Sequence, residues 1–474
     1  MKKRLLNALK RSLHEQGLWR EDATLLAGVS GGADSVALLW GLCRLRQEMP
    51  FRLVCCHVQH GLRGENSLGD QRFVETLCRE WNVECRMADA GLTGDMHTPG
   101  MEGLAREKRR QLFTAWMADL SADALLLAHH GDDQAETMLM HLLRGSGLRG
   151  LGGMEAARPF GSGMLLRPLL SFPKADLLEL LHQEGIPFRQ DESNLEATNP
   201  RNALRLNVLP RLEALYPGAS RHMADASASL RQDEACLTAL ADDLFCRAYH
   251  RQEGVLALET GPLASAPAAL AVRALRRFYR EAAALKPIAP GERDLSREDS
   301  QRLLSLLQEA PGCVANLPND MEMYRGAAHL FLLRQGGDPI PPWTAPEPVP
   351  IARGSMTLGG YAFRLEEASP GWTPSALSVL LTPEEASAAV LRHPLPGDVF
   401  HPLGASGSKP LRRWLIDRKT DLPLRPSLPV LAVGQNILWV PGFTCAESLR
   451  RTGPDGLLAL RILNPEHCLY LQKE

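Results

Sequence analysis

The sequence predicts an α/β fold: a parallel-sheet domain, then a helical domain, then a small α+β domain at the C-terminal end. Three observations carry this. Between residues 24 and 144, short β-rich runs alternate with helical patterns, the signature of strand–helix–strand units. The strand runs are almost continuously apolar, as strands covered on both faces are. From about residue 220 the alternation gives way to an Ala-, Leu- and Arg-rich texture with little strand signal.

Taken in order, Leu5, Leu6, Leu9 and Leu13 fall on one face of a helix. The start Met1-Lys2-Lys3-Arg4 resembles a secretion signal, but Asn7, Lys10, Arg11, His14 and Glu15 interrupt the apolar run it would need. Strands are expected at 24–29, 53–58, 83–87 and 124–128. Helices are expected at 34–46, 70–81, 102–120 and 133–144. Residues 222–286 read as helical. Gly336, Gly337, Pro339, Pro341, Pro342, Pro346, Pro348 and Pro350 mark a connector, and 351–365 hold short β-like runs. Leu431-Ala432-Val433 and Ile437-Leu438-Trp439-Val440 read as paired strands. The expected domains are therefore 1–217, a mainly helical 218–335, a connector over 336–374, and 375–474.

Composition narrows the function classes. The 474 residues carry 53 Lys+Arg and 55 Asp+Glu, a net charge of −2. A uniformly polybasic protein is excluded, although a local basic surface is not. The 45% hydrophobic content is that of a globular chain. Ten cysteines with no Cys-x-x-Cys give no disulfide scaffold, zinc ribbon or dithiol centre. No apolar run approaches the roughly 18 residues of a membrane span. A cytoplasmic protein is the expectation.

The sharpest local signal is Ser30-Gly31-Gly32-Ala33-Asp34-Ser35, between the first strand and the first helix of the alternating region. Two glycines let the backbone turn tightly and approach a ligand. Backbone N–H groups and the helix N-terminus favour an anion, and Ser30 and Ser35 add hydroxyls. This is phosphate-binding chemistry in a context where the alternative is a plain turn. It is not a Walker A loop, which needs Gly-Lys-Ser/Thr.

With further motifs the chain resembles a known family. Ser-Gly-Gly-x-Asp-Ser after the first strand is similar to the PP-loop of ATP pyrophosphatases. His57 to Gly64, Glu102-Gly103-Leu104-Ala105-Arg106, Ala128 to Thr137, Leu143 to Leu151, Asp191-Glu192-Ser193-Asn194 and Arg201-Asn202-Ala203-Leu204-Arg205 together resemble the bacterial tRNA(Ile)-lysidine synthetases. So do Pro396 to Phe400, Pro402-Leu403-Gly404 and Lys409 to Trp414 near the C-terminal end. Two departures stand out: Val399 replaces a usual basic residue, and Pro200 replaces a frequent aromatic one.

The resemblance implies that 1–217 is a PP-loop nucleotide-binding domain. It implies ATP and Mg2+ as cofactors, and L-lysine and a tRNA(Ile) with a CAU anticodon as partners. The lysine would be joined to C2 of the wobble cytidine through an adenylated intermediate, with AMP and pyrophosphate released. Ser30, Gly31, Gly32, Ala33, Asp34 and Ser35 would bind ATP, with Asp34 the carboxylate for Mg2+. Asp34, Arg106, Asp132 and Glu136 would be catalytic. Arg106 suits developing phosphate charge, although a surface pair with Glu102 at i and i+4 is the bland alternative. Asp132 or Asp133, with Glu136, can share a helix face, and paired carboxylates suit a lysine ammonium; Mg2+ ligation and a helix cap by Asp132 are the alternatives. His129 and His130 lack the third ligand a zinc site needs.

RNA contacts are expected at Arg201 and Arg205 and at Lys409, Arg412 and Arg413. Within 401–425 six basic residues face two acidic ones, a local excess in an otherwise balanced chain. Trp414 beside them is read as a core residue rather than a base-stacking one. Homodimerisation is left open. The rival readings are a tRNA thiolase, against which the missing Cys-x-x-Cys counts, an amidating synthetase, against which Lys2 at position two counts, and a tRNA-binding protein with a vestigial loop, against which Asp34, Ser35 and Arg106 count.

Overall fold

The computed structural model describes residues 1–59, 65–92, 101–189, 200–252, 255–285, 294–338, 340, 344–451 and 456–465. The motif residues His60–Gly64 and Asp191–Asn194 and the connector residues Pro339, Pro341 and Pro342 lie outside these. The chain forms two compact units, Met1–Ala235 and Cys236–Glu474.

In the first unit, helix α1 (Lys2–Glu15) precedes β1 (Thr24–Gly28), α2 (Ala33–Leu45), β2 (Arg52–Gln59), α3 (Glu65–Glu80), β3 (Glu84–Asp89), α4 (Met101–Asp119), β4 (Ala124–Leu127) and α5 (Gly131–Leu143). Every expected strand and helix of the alternating region is there. A short α6 (Leu148–Leu151) follows, then a hairpin of β5 (Ala157–Phe160) and β6 (Gly163–Leu166), α7 (Lys174–Gln183), α8 (Pro200–Ala203), a π-helical stretch (Leu204–Val208), α9 (Leu209–Leu215) and the long α10 (Ala219–Ala248). The sheet order is β3-β2-β1-β4-β6-β5, parallel except for β5.

The near-continuous apolar strands have two covered faces because successive side chains alternate. Leu25, Ala27, Leu53, Cys55, Ala124 and Leu126 join a core with Leu5, Leu9 and Leu13 of α1 and with α2, α3 and α7. Leu26, Val54, Cys56 and Leu125 point the other way, onto Phe113 and Met117 of α4. Leu6, expected on the buried face of α1, is only partly buried. Chain order reverses between β1 and β4, so their C-terminal ends open a crevice at the switch point.

In the second unit the expected helices are present: the end of α10, α11 (Thr260–Ser265), α12 (Ala268–Ala283) and α13 (Arg297–Leu306). No local pattern in the sequence points to the five-stranded antiparallel sheet packed with them. It comprises β7 (Tyr249–Gln252), β8 (Val255–Glu259), β9 (Val314–Leu317), β10 (Met321–Arg325) and β11 (His329–Arg334), in the order β7-β8-β11-β10-β9. Residues 218–335 therefore combine helices with a five-stranded sheet. Leu256, Leu258, Leu330 and Leu332 face α12 and α13. Val255, Ala257, Phe331 and Leu333 face the core shared with the C-terminal region.

That region continues with β12 (Val349–Pro350), β13 (Gly354–Leu358), β14 (Tyr361–Glu367), β15 (Ser378–Leu381), α14 (Pro383–Ala388), β16 (Val390–Arg392), β17 (Val399–Phe400), β18 (Lys409–Pro410), α15 (Leu411–Asp417), β19 (Val430–Val433), β20 (Asn436–Val440), β21 (Thr444–Cys445) and β22 (Leu458–Ile462). The expected pair at 431–440 is the antiparallel ladder of β19 and β20. Asp398 is a structural anchor: with 1% of its side chain exposed, it pairs with Arg392 at 2.7 Å. No helix among the described residues is long and apolar enough to cross a membrane.

Candidate active site

The glycine-serine loop leaves β1 and enters α2. Gly31 has φ +96, a conformation a side chain would strain. Its carbonyl accepts the Arg189 amide at 3.0 Å, and Gly32 forms a parallel backbone bridge with Arg189. The Ser30 amide donates to Ser35 Oγ at 3.1 Å, and Ser35 Oγ donates to Gly32 O at 2.9 Å. The Ser35 hydroxyl thus ties the loop together from inside. Gly32 caps α2 without any side-chain cap, so the positive end of the helix faces the loop.

Asp34, in the first turn of α2, looks across to the start of α5. Its Oδ2 lies 3.5 Å from His130 Nε2 and 3.7 Å from Lys174 Nζ. Its Oδ1 is buried with no hydrogen-bond partner. An orphaned, buried carboxylate oxygen beside a phosphate loop is the donor that magnesium prefers, so Asp34 fits the ion.

The acidic motif after β4 separates into two functions. His130 is the N-cap of α5, and its amide donates to Asp133 Oδ2 at 3.1 Å. The expected alternative of a cap by Asp132 is therefore corrected: Asp132 Oδ2 instead accepts the Lys174 amide at 2.8 Å, at the start of α7, and lies 3.4 Å from His130 Nδ1. It is Asp133 that shares a face with Glu136. Glu136 has no exposed surface; its Oε2 accepts Arg201 Nε at 2.7 Å and its Oε1 accepts Arg205 Nε at 2.5 Å. Asp133 Oδ1 accepts the same two guanidinium groups at 3.2 and 3.1 Å. Arg201 and Arg205 are four residues apart on α8 and the π-helical stretch, so two helical pairs interlock. The arginines expected at RNA are thus committed to the carboxylates expected at lysine.

The electrostatics follow from this packing. Burial opposes a charge on His130, but Asp132, Asp133 and Asp34 outweigh it and raise its pKa. Burial would raise the Asp133 carboxyl, yet His130, Arg201 and His129 hold it below the usual carboxylate range. Burial pushes His129 down to about 4, partly offset by Asp133 and reinforced by Arg167. His129 Nδ1 therefore accepts from Arg167 Nε at 3.3 Å.

Arg106 is exposed on α4 and lines a cavity of about 380 Å³ with Thr137, Arg144 and Arg201. The side chain of Glu102, its bland partner in the sequence, lies outside the described residues. Gln134, buried within the same motif, bonds Gly152 O and Met154 O and receives Met154 N, fixing the loop after α6. Lys174 and Arg189 were missed by sequence reasoning. Neither sits in a motif, and only the tertiary fold brings them to Asp34 and Gly31.

In the second unit, Lys409 Nζ pairs with Asp417 at 2.9 Å, and Arg413 Nε lies 3.4 Å from the same carboxylate. Arg412 and Arg413 are exposed on α15. Trp414 is buried, as read, at 4.9 Å from the Phe400 ring and 5.3 Å from Phe443.

A phosphate loop at the switch point of a parallel sheet, with an unpartnered carboxylate oxygen beside it, defines a PP-loop nucleotide-binding protein. Sequence comparison agrees and goes further. A family model described as a PP-loop domain matches residues 1–212, and one described as the TilS substrate C-terminal domain matches residues 390–461. The chain is 32% identical over 464 residues to the tRNA(Ile)-lysidine synthase of Geobacter sulfurreducens, covering 94% of each. It is 30% identical over 456 residues to that of Bacillus subtilis, covering 92% of this chain and 93% of the other. The chain belongs to the tRNA(Ile)-lysidine synthase family. Among solved structures, a U34-tRNA thiolase from Methanococcus maripaludis matches with a TM-score of 0.42 and 19% identity, over 48% of this chain and 78% of that one.

Proposed function

We propose that this protein joins L-lysine to C2 of the wobble cytidine of a tRNA(Ile) with a CAU anticodon, at the expense of ATP. The cytidine O2 attacks the α-phosphorus and pyrophosphate leaves; the lysine ε-amine then attacks C2 and AMP leaves. The observation that carries this reading is the pairing of the phosphate loop with the Asp133, Glu136, Arg201 and Arg205 cluster, linked through His130. An amino acid is a zwitterion. Two carboxylates suit its ammonium groups, and two guanidinium groups suit its carboxylate. Without lysine the two sets neutralise each other.

In this reading Ser30, Ser35 and the amides of Gly31 to Asp34 hold the leaving pyrophosphate. Arg106 neutralises phosphate charge from the α4 side. Asp34 would hold Mg2+, which supplies charge neutralisation on the phosphates. Asp132 acts by orienting His130 and capping α7, a positioning rather than a ligand role. Arg412 and Arg413 meet tRNA phosphates, with Lys409 partly committed to Asp417. The thiolase alternative is not favoured, because the relatives matched over nearly the whole chain are lysidine synthases.

The test is transfer of labelled lysine to a tRNA(Ile) CAU transcript with Mg-ATP, using a tRNA(Met) transcript as control. Incorporation into the first alone is expected. Incorporation into neither, with ATP and RNA both bound, would reject the reading.

A further inference from the structure

We propose that His250, Glu259 and His329 form a binding site for a divalent transition metal of borderline softness, with zinc(II) as the natural occupant. The three ligand atoms lie within 4.8 Å of one another. The set arises from strand register. On β8, Ala257 pairs with His250 of β7, and two residues on, Glu259 pairs with His329 of β11. Directly paired residues share a face, and so do residues two apart on one strand. Three adjacent strands therefore present two imidazoles and a carboxylate on the same side of the sheet.

The donor set and its surroundings suit such an ion. Two histidines and one carboxylate select zinc, iron(II) or a neighbour over magnesium or calcium, which prefer all-oxygen shells. His250 Nε2 and Glu259 Oε1 already stand 3.0 Å apart. Bonds of about 2.0–2.2 Å to a tetrahedral ion place ligand atoms about 3.3 Å apart, so closure needs only side-chain adjustment. The two imidazole rings are 5.7 Å apart at their centroids and nearly perpendicular, at 84°. His329 is buried, which favours its neutral form, the form that binds metal. His250 and Glu259 are about one-third exposed, at 30% and 38%, which leaves an entry path and room for water as a further ligand. Arg325, the nearby cation that disfavours charge on His329, is itself engaged by the carbonyls of Gly326 and Ala327. Ligands on strands are held more firmly than ligands on loops, so a bound ion would clamp β7 to β11 across β8.

The experiment titrates Co2+ into the untagged, full-length protein in excess Mg2+, which fills all-oxygen sites. Cobalt reports its ligands by absorption. One ion per chain with ligand-field bands and no thiolate charge-transfer band is expected. His250→Ala and Glu259→Gln, both at partly exposed positions, should each weaken binding by at least roughly 100-fold with unchanged circular dichroism, the upper end of what the loss of a ligand's outer partner costs. Three results would overturn the proposal: no saturable binding, affinity unchanged in both variants, or a thiolate band. The last would move the ion to Cys55, Cys78 and Cys85, the other convergent donor set among the described residues.

Discussion

Arg201 donates its Nε to Glu136 at 2.7 Å, and Glu136 has no solvent-exposed surface. The carboxylate is therefore held in place by Arg201 and Arg205, 65 and 69 residues further along the chain. A glutamine in its place keeps the shape but removes the charge. If Glu136 faces lysine, Glu136→Gln loses a charged hydrogen bond of about 1.5–3 kcal/mol, which raises the KM for lysine by roughly 10- to 100-fold. The KM for ATP should stay nearly constant. Steady-state kinetics in each substrate checks this, and equal rises in both would place Glu136 in the frame rather than the lysine pocket.

Gly31 should tolerate no side chain. At φ +96 an alanine is strained by about 1–3 kcal/mol, and relief of that strain would turn the loop amides away from the phosphates. Gly31→Ala is expected to abolish ATP–pyrophosphate exchange while leaving the thermal unfolding of the second unit unchanged. Gly161→Ala, at a positive-φ glycine of the β5–β6 turn, is the matched control and should retain exchange.

Acid should weaken the first unit through His129. Its folded pKa of about 4 lies below the ordinary 6.5. Between those values the unfolded chain binds a proton that the folded one does not. This contribution is therefore complete above pH 6.5 and lost as pH falls towards 4, amounting to about 3 kcal/mol in all. His130 has the opposite sign: its raised pKa favours folding below 6.5, and that favour fades as pH rises through the folded value. Urea unfolding between pH 4 and 6.5 should show a shallower acid slope for His129→Gln than for the parent protein, whereas His130→Gln should leave that slope nearly unchanged and flatten the loss of stability above pH 6.5.

Removing both Arg412 and Arg413 should lower the salt dependence of tRNA binding. Each phosphate that an arginine no longer neutralises flattens the log–log slope by about one unit, so the double alanine variant should be shallower by roughly two. Lys409→Ala should change the slope less, because Asp417 already occupies its ammonium. A slope unchanged in the double variant would move the RNA surface elsewhere.

Much of the first unit was legible because its chemistry follows the strands directly. Residues 30–35 and 129–136 are contiguous turns at strand ends, and the apolar runs of β1, β2 and β4 are long enough to read. The hairpin β5–β6 was not read, since Pro159, Gly161 and Gly163 are loop residues by any local rule and only pairing with β4 makes a strand there. The edge strand β7 carries His250, Arg251 and Gln252, with no apolar run to betray it. Helical spacing allowed either Asp132 or Asp133 to join Glu136. Positions 132 and 133 flank the direction of Glu136 on either side, so spacing alone could not choose; the pairing of Asp133 with Arg201 and Arg205, and of Asp132 with the Lys174 amide, decided which. Lys174 and Arg189 were invisible because Asp34 and Gly31, the loop residues they reach, lie more than a hundred residues earlier.

The backbone bond from Arg189 to Gly31 sets an order of events during synthesis. A growing chain leaves the ribosome with Ser30 to Ser35 long before Arg189 is made. The loop gains its second anchor only once the hairpin β5–β6 and helix α7 have been translated. Until then its glycines are free to sample other turns, and an unfinished chain lacks a set cradle for triphosphate. The full set of backbone bonds at the loop is thereby tied to synthesis of the chain as far as Arg189.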